Sequence, residues 1–437
     1  MEKYINIIGG GLAGTEAAYQ IAKRGIKVKL FEMKPNKFSP AHSNKNLAEI
    51  VCSNSFKSKL HTSACGLLKE ELNKMDSLLL RIAEEVEVPA GQALAVDREM
   101  FSQRVTEEIE SNENIEVINE EITDLNRFKG EIVIIATGPL TSDNLAEYIV
   151  KLTGVDKMYF YDAAAPIVTK ESINFDIAFW GDRYGKGDSN YINLPMEKEE
   201  YEKFYNQLIN AEVVELHNFE KKEIFEGCMP VEVMAKRGED TLRFGPLKPV
   251  GFTNPHTGKR PYAIVQLRQD DNKGTIFNLV GFQTNLKFGE QKRVFRLIPG
   301  LENAEFVKYG VMHRNTYINS TKLLDNTYCL KENNDIYFAG QITGVEGYVE
   351  SIMSGLLAGI NAANKVLGKE KLILSEETMS GAITKYISTD NDKFQPMNAN
   401  FGILPQWEKK IKDKKLKYAK LADRALESLE NDIINKL

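Results

Sequence analysis

Paired cysteines are missing from this chain. Its 437 residues hold four, at positions 52, 65, 228 and 329, with gaps of 13, 163 and 101 residues between them. No CxxC pair occurs, so a zinc ribbon or a thioredoxin-like dithiol has nothing to build on, and no metal site is expected. The even count would allow disulfides. Met1-Glu2-Lys3, however, runs straight into a strand pattern instead of a secretion signal, so free thiols in a reducing cytoplasm are the expectation. No apolar run approaches the roughly 20 residues that a membrane span needs. Excess positive charge is also lacking: 56 Lys and Arg stand against 62 Asp and Glu, a net charge of −6. That excludes a uniformly basic nucleic-acid binder but leaves room for a local basic patch. There is no internal repeat and no low-complexity tract. With 42% hydrophobic and 27% charged residues, the composition is that of a globular protein, and the length corresponds to two or three domains of about 150 residues.

What is present begins at the N-terminus. Tyr4 to Ile8 reads as a short buried strand, Gly9-Gly10-Gly11-Leu12-Ala13-Gly14 as a turn, and Thr15 to Arg24 as a helix closed by Gly25. A second strand runs from Lys27 to Phe31 and ends at Glu32. In this strand–turn–helix setting Gly9-x-Gly11-x-x-Gly14 is a dinucleotide-binding turn. Gly9 makes the tight bend, Gly11 lets a pyrophosphate approach the backbone, and Gly14 lets helix and strand pack closely. The helix N-terminus supplies amide donors, and Glu32 is placed to hold ribose hydroxyls. Two later segments favour FAD over NAD. EIVIIATG, from Glu131 to Gly138, and DIYFAG, from Asp335 to Gly340, resemble the second and third nucleotide-contacting strands of two-dinucleotide-domain flavoproteins. The latter is followed by a small-residue helix near Glu346 to Asn364. Many such proteins end the last strand in Gly-Asp, whereas this one has Gly340-Gln341. Gly181 to Ser189 lacks Gly-Lys-Ser/Thr and reads as a turn, and no second GxGxxG follows a strand, so a nicotinamide donor is expected to dock transiently.

Between about Tyr159 and Leu330 short strand-like runs dominate, with one charged amphipathic helix near Glu197 to Ala211. The expected fold is therefore α/β: a Rossmann-like FAD-binding domain in two parts, residues 1–158 and 331–400, with an inserted α+β substrate domain at 159–330 and a basic C-terminal helix at 401–437. Pro230 and Gly238 frame a short helix that places Cys228 beside its N-terminus, with Lys236, Arg237 and Arg243 near in sequence. Those features lower a thiol pKa, but a buried packing cysteine satisfies the same spacing. Cys52, between the apolar Ile50-Val51 and the polar Ser53-Asn54-Ser55, is open to the same two readings. Cys65 and Cys329 read as structural.

Taken together these stretches identify a family. GGGLAGTEAAYQIAKRG from Gly9, Cys52-Ser53-Asn54-Ser55, PAGQALAVDREMFS from Pro89, FEGCMPVEVMAKRGEDTLRFGPLKPVGF from Phe225, GVMHRNTYINS from Gly310, YFAGQITGVEGYVES from Tyr337 and FQPMNANFG from Phe394 resemble the folate- and FAD-dependent tRNA (uracil-5-)-methyltransferases (TrmFO). The likeness runs along essentially the whole chain. Gly91-Gln92 departs from the family's Gly-Gly in a loop near the flavin. The resemblance implies that a uridine at position 54 in the T-loop of tRNA gains a methyl at carbon 5, with methylenetetrahydrofolate as one-carbon donor, FAD as cofactor and NADH or NADPH as reductant. It implies Cys228 as the nucleophile at uracil carbon 6 and Cys52 as a second functional thiol, base or guard on the one-carbon unit. His313 would stack on the folate pterin. Asp97 and Arg98 would help seat FAD. Gly340, Gln341 and Gly347 would line its far side, with Gly138 on the middle strand. Lys287 and Arg293 are weaker anion-binding candidates.

The chemistry behind the implied roles is general. Uracil carbon 5 is a poor nucleophile until a thiolate adds to carbon 6 and makes an enolate, and a methylene-level carbon needs two electrons to become a methyl. RNA must be met by local charge. From Lys409 to Arg424 eight Lys or Arg stand against two Asp, next to Trp407, so this helix is expected either to touch phosphates or to be a solvated amphipathic surface. No membrane and no obligate protein partner are expected. The alternatives are the same chemistry on a uridine of 23S rRNA, the related wobble-uridine enzyme with its longer helical C-terminus, a flavin-bearing RNA-binding protein without catalysis, and a generic flavin oxidase.

Overall fold

The computed structural model describes residues 4–434 apart from 157, 186–188, 215–228 and 408–410, and the backbone but not the side chains of 158, 160–162, 313 and 314. Five parallel strands form the first sheet, in the order Asn333–Phe338, Ile132–Ile135, Tyr4–Ile8, Lys27–Glu32, Ile115–Asn119, with Cys329–Leu330 added antiparallel at one edge. The central strands are short apolar runs because parallel strands covered on both faces have no solvent side to leave polar. Asn333–Phe338 enters next to Ile132–Ile135, so the two ends of the chain build one nucleotide sheet around an excursion of the middle. The helix Leu12–Ala22 lies against the helix Tyr348–Leu367. A Cβ at Gly355 would stand 2.2 Å from the Ala13 carbonyl oxygen and one at Gly359 2.8 Å from that of Ala17. The two backbones touch only because these positions carry no side chain.

The excursion forms a second sheet with its own core. Its order is Phe179–Trp180, Tyr191–Met196, Ala263–Gln269, Ile276–Leu279, Ile167–Thr169, Phe306–Lys308, antiparallel throughout. Helix Lys198–Ile209 covers it with Tyr201, Phe204 and Leu208, the spacing of one helical face. A two-stranded ribbon, Met158–Ala163 with Met312–Tyr317, carries the chain out and back. The outward boundary lies close to the expected residue 159. The return falls earlier than the expected 330. Tyr317, Leu324, Tyr328 and Leu330 pack in the first core, and Cys329–Leu330 belongs to the first sheet. A strand of two residues has no period from which to read its sheet.

The C-terminal stretch is likewise not a separate unit. Helix Lys414–Ile433 buries Leu421, Ala422, Ala425 and Leu429 in the first core. No described helix is long and apolar enough to cross a membrane. His61 ties this helix down: its Nδ1 lies 2.9 Å from Glu70 and its Nε2 3.0 Å from Asp423. Partial burial alone would lower the imidazole pKa, but the bonds and charges of Glu70 and Asp423 outweigh it and raise it above 6.5. A raised folded pKa means that this stabilisation is complete below the unfolded pKa and fades as pH rises through the folded one. His61→Asn is therefore expected to lower the melting temperature at pH 5.5 by about 1–2 °C, the scale of an exposed ion pair, and not at pH 9. Equal losses at both pH values would refute the ionic role.

Candidate active site

Three glycines shape the first end of a cavity at the edge of the parallel strands. Gly9 has φ +103°, and a Cβ there would meet the Ala136 carbonyl at 2.6 Å, so the tight bend needs glycine. At Gly14 a Cβ would stand 1.8 Å from the Gly9 carbonyl oxygen, which is the close helix packing the motif predicts. At Gly11 a Cβ would meet nothing within 4 Å: the space in front of the helix N-terminus is open. The cavity, about 1080 Å³ including its open mouth, runs from this turn past Glu32 and Gly138 to Gly340, Gln341 and Tyr348. Glu32 is buried in its wall; its carboxylate accepts the Gly10 amide at 2.8 Å and the Lys34 amide at 3.0 Å. Open space before helix amides, an acid at the end of the second strand and a long lined trough fit an extended dinucleotide such as FAD.

Gly9, Gly10, Gly11, Leu12, Ala13, Glu32, Gly138, Gly340 and Gln341 all line this cavity. The Gln341 side-chain amide donates to Glu346 at 2.5 Å, so the residue standing where many flavoproteins carry Asp is held by a neighbour. Gly14, Asp97, Arg98 and Gly347 do not line it. Gly347 precedes helix Tyr348–Leu367 with φ +120°, where a Cβ would stand 2.2 Å from a Glu350 carboxylate oxygen. Asp97 caps helix Arg98–Glu110 through the Glu99 and Met100 amides, and its other oxygen accepts the Asn272 amide at 2.9 Å. Asp97 and Arg98 thus sit where the first core meets the insert.

That junction holds Cys52. The Tyr348 hydroxyl accepts the Cys52 and Ser53 amides, both at 3.0 Å, and donates to the Ser53 carbonyl at 2.9 Å. Arg98 grips Asp270 of the insert through two nitrogens, at 2.7 and 3.1 Å, and donates to the Val51 carbonyl at 3.1 Å. Burial works against the Arg98 charge, but Asp270 outweighs it and holds the guanidinium above its ordinary range. From the insert's sheet, Arg268 donates to Asn54 and Ser53, each at 3.0 Å, and Asn54 donates to the Gln269 carbonyl at 2.9 Å. Cys52 Sγ lies 3.8 Å from the Ala163 carbonyl. The thiol loop is therefore seated by both cores at once. Burial pushes the Lys308 pKa down, helped by the nearby Arg98 charge and opposed by Glu49 and Asp270. Sequence spacing does not signal Tyr348, Asp270, Arg268 or Lys308, because their roles come from pairings across hundreds of residues.

The other candidates fall apart from this cluster or outside the description. Cys228 lies outside the described residues. The helix after it spans only Val231–Ala235, with Pro230 as its cap. The backbone of His313 belongs to the ribbon between the cores, but its side chain lies outside the description. Lys287 pairs with Glu212 at 2.6 Å and Arg293 with Glu290 at 2.7 Å, so neither presents a free charge. Burial pushes the Cys329 thiol up to about 11. Cys65 is also raised, first by burial, although Lys57 and Lys69 work against the shift; the basic neighbours are real but do not win.

A family profile described as "Glucose inhibited division protein A" matches residues 4–370. Curated relatives from Acetivibrio thermocellus, Natranaerobius thermophilus and Fusobacterium nucleatum are 61%, 61% and 59% identical to this chain. The matches cover 98%, 99% and 99% of it and 98%, 100% and 99% of the relatives. Each is named "Methylenetetrahydrofolate--tRNA-(uracil-5-)-methyltransferase TrmFO". The chain belongs to the TrmFO family. Two crystal forms of Aquifex aeolicus GidA resemble it with TM-scores of 0.68 and 0.69 at 18% and 17% identity, covering 99% and 98% of this chain and 76% and 78% of theirs. That likeness shows a shared fold, so the expected Rossmann-type α/β architecture holds for this TrmFO-family chain.

Proposed function

We propose that the chain is a methylenetetrahydrofolate- and FAD-dependent methyltransferase acting on carbon 5 of the T-loop uridine of tRNA, with NADH or NADPH as reductant. One observation carries the reading. Tyr348 lines the dinucleotide cavity and, through its hydroxyl, holds the amides of Cys52 and Ser53, so a cysteine-bearing segment and a cofactor trough share a wall. The names of the relatives supply the substrate class. FAD, once reduced by NADH or NADPH, would supply the two electrons that take a methylene-level carbon to a methyl.

The chain's own groups do the rest. The glycine turn and the N-terminus of helix Leu12–Ala22 would hold the pyrophosphate, and Glu32 the ribose. The Cys228 thiolate would add to uracil carbon 6, pushing the electron pair onto carbon 5. After the carbon is transferred, loss of the carbon 5 proton to a base and elimination of the sulfur restore the ring. Cys52, fixed at the junction, would be that base or the guard on the one-carbon unit. The target uridine must leave its stack to reach the trough.

The test is methyl transfer from labelled methylenetetrahydrofolate, with NADH or NADPH, to unmodified tRNA and to 23S rRNA fragments. Label is expected in the tRNA T-loop; label in the rRNA alone would reassign the substrate. Cys228→Ala is expected to lose at least ~10³-fold in transfer and to form no covalent adduct with 5-fluorouridine tRNA. An adduct that survives the substitution would place the nucleophile elsewhere.

A further inference from the structure

The first turns of the C-terminal helix carry charge that the fold does not use. Between residues 411 and 420 stand five lysines, at 412, 414, 415, 417 and 420, and one aspartate. Lys412, Lys414, Lys415 and Lys420 are exposed and Lys417 is half-buried. Among the described residues none of the five has an acidic partner, and Lys414 rests on the ring of Tyr418. Three of the four acids of the same helix are occupied elsewhere. Asp423 bonds His61, Glu430 bonds Lys74 at 2.6 Å, and Asp432 accepts the Ser375 amide at 2.6 Å.

Helix electrostatics makes this arrangement costly. Lysines crowd the N-terminal end of Lys414–Ile433, where the macrodipole disfavours cations, and no basic residue stands in its last turn. Folding alone would favour the reverse order, so an external anion is the group that this end suits. Trp407, 39% exposed, lies beside the patch under the Arg424 guanidinium, the pairing of cation and aromatic that single-stranded bases stack on.

The patch is also joined to the cofactor trough. Tyr418 stacks on Phe401 at 4.4 Å. The Ala399 amide donates to Glu350 at 2.8 Å, and Met397 pairs with Gly344 and Glu346 at 2.9 and 2.8 Å. These contacts lead to the loop between Gln341 and Tyr348, both in the trough's wall.

We propose that this end of the helix is a docking surface for the phosphate backbone of the RNA whose uridine enters the trough, an inference that rests on the function proposed above. Backbone contacts position without reading sequence and release counterions. The test uses the full chain with its flavin, an unmodified tRNA transcript, and the variant Lys414→Gln/Lys415→Gln/Lys417→Gln/Lys420→Gln.

The plot of log affinity against log salt is expected to become shallower by about 3, roughly 0.7–0.9 for each lost phosphate contact, with at least tenfold weaker binding at low salt. The melting temperature should hold or rise, and NAD(P)H-driven flavin reduction should be unchanged. The four Lys→Arg replacements should restore the slope. Wild-type slope and affinity in the Gln variant would overturn the docking surface while leaving the methyltransferase reading intact. A wild-type chain that failed to bind tRNA would overturn both. If the four-site variant does not fold, Lys415→Glu/Lys420→Glu puts the same question with two exposed positions.

Discussion

Arg98→Ala is expected to destabilise the protein by about 3–5 kcal/mol, because it leaves the Asp270 carboxylate buried without its partner. Loss of a buried pair's cation costs more than the pair itself contributes. The more informative change is Arg98→Lys. Lysine keeps the charge but cannot hold Asp270 with two nitrogens while also reaching the Val51 carbonyl. The chain should fold and keep its flavin. Cys52, however, should lose its fixed seat, and its alkylation rate, read by mass spectrometry at that residue, should change severalfold while methyl transfer falls. Asp270→Asn should do the same, and the double variant should be no worse than either single one. An unchanged Cys52 rate in both single variants would show that the clamp joins the two cores without governing the thiol.

Gly14→Ala is expected to produce a colourless protein. Its Cβ would stand 1.8 Å from the Gly9 carbonyl oxygen, so helix Leu12–Ala22 must move away and open the turn that holds the pyrophosphate. Overpacking of this kind costs about 1–3 kcal/mol or more, a roughly 5- to 150-fold loss in FAD affinity. Gly11→Ala separates packing from binding. Its Cβ meets no protein atom within 4 Å, so the apoprotein should melt where the wild type does while FAD binding weakens. Titration of apoprotein with FAD, followed by flavin fluorescence, measures both. A Gly14→Ala chain that retained wild-type affinity would show that the helix can retreat without opening the turn.

Much of the cofactor half was legible in residue order. Gly9, Gly11, Gly14 and Glu32 lie within one strand–turn–helix–strand unit, and their functions depend on backbone geometry that a local motif dictates. The strands of the insert were legible too, since alternation and β-branched runs are local properties. The return boundary of the insert was not, because the segment from Tyr317 to Leu330 is apolar whichever core it enters. Asp97 and Arg98 illustrate the same limit. The resemblance implies that they help seat FAD, but their bonds to residues 270 and 272 and to the loop of Cys52 appear only in the folded chain. Lys287 and Arg293, weaker anion-binding candidates in the sequence, pair with Glu212 and Glu290.

By itself the sequence determined the nucleotide turn, the family and hence the class of chemistry, because these are written in short stretches whose spacing is their meaning. Only the tertiary structure decided how the Cys52 loop is held and which lysines lack acidic partners among the described residues. Both depend on charges and hydrogen-bonding groups far apart in the chain, and Coulomb attraction and burial act on distance in space, which residue order leaves open.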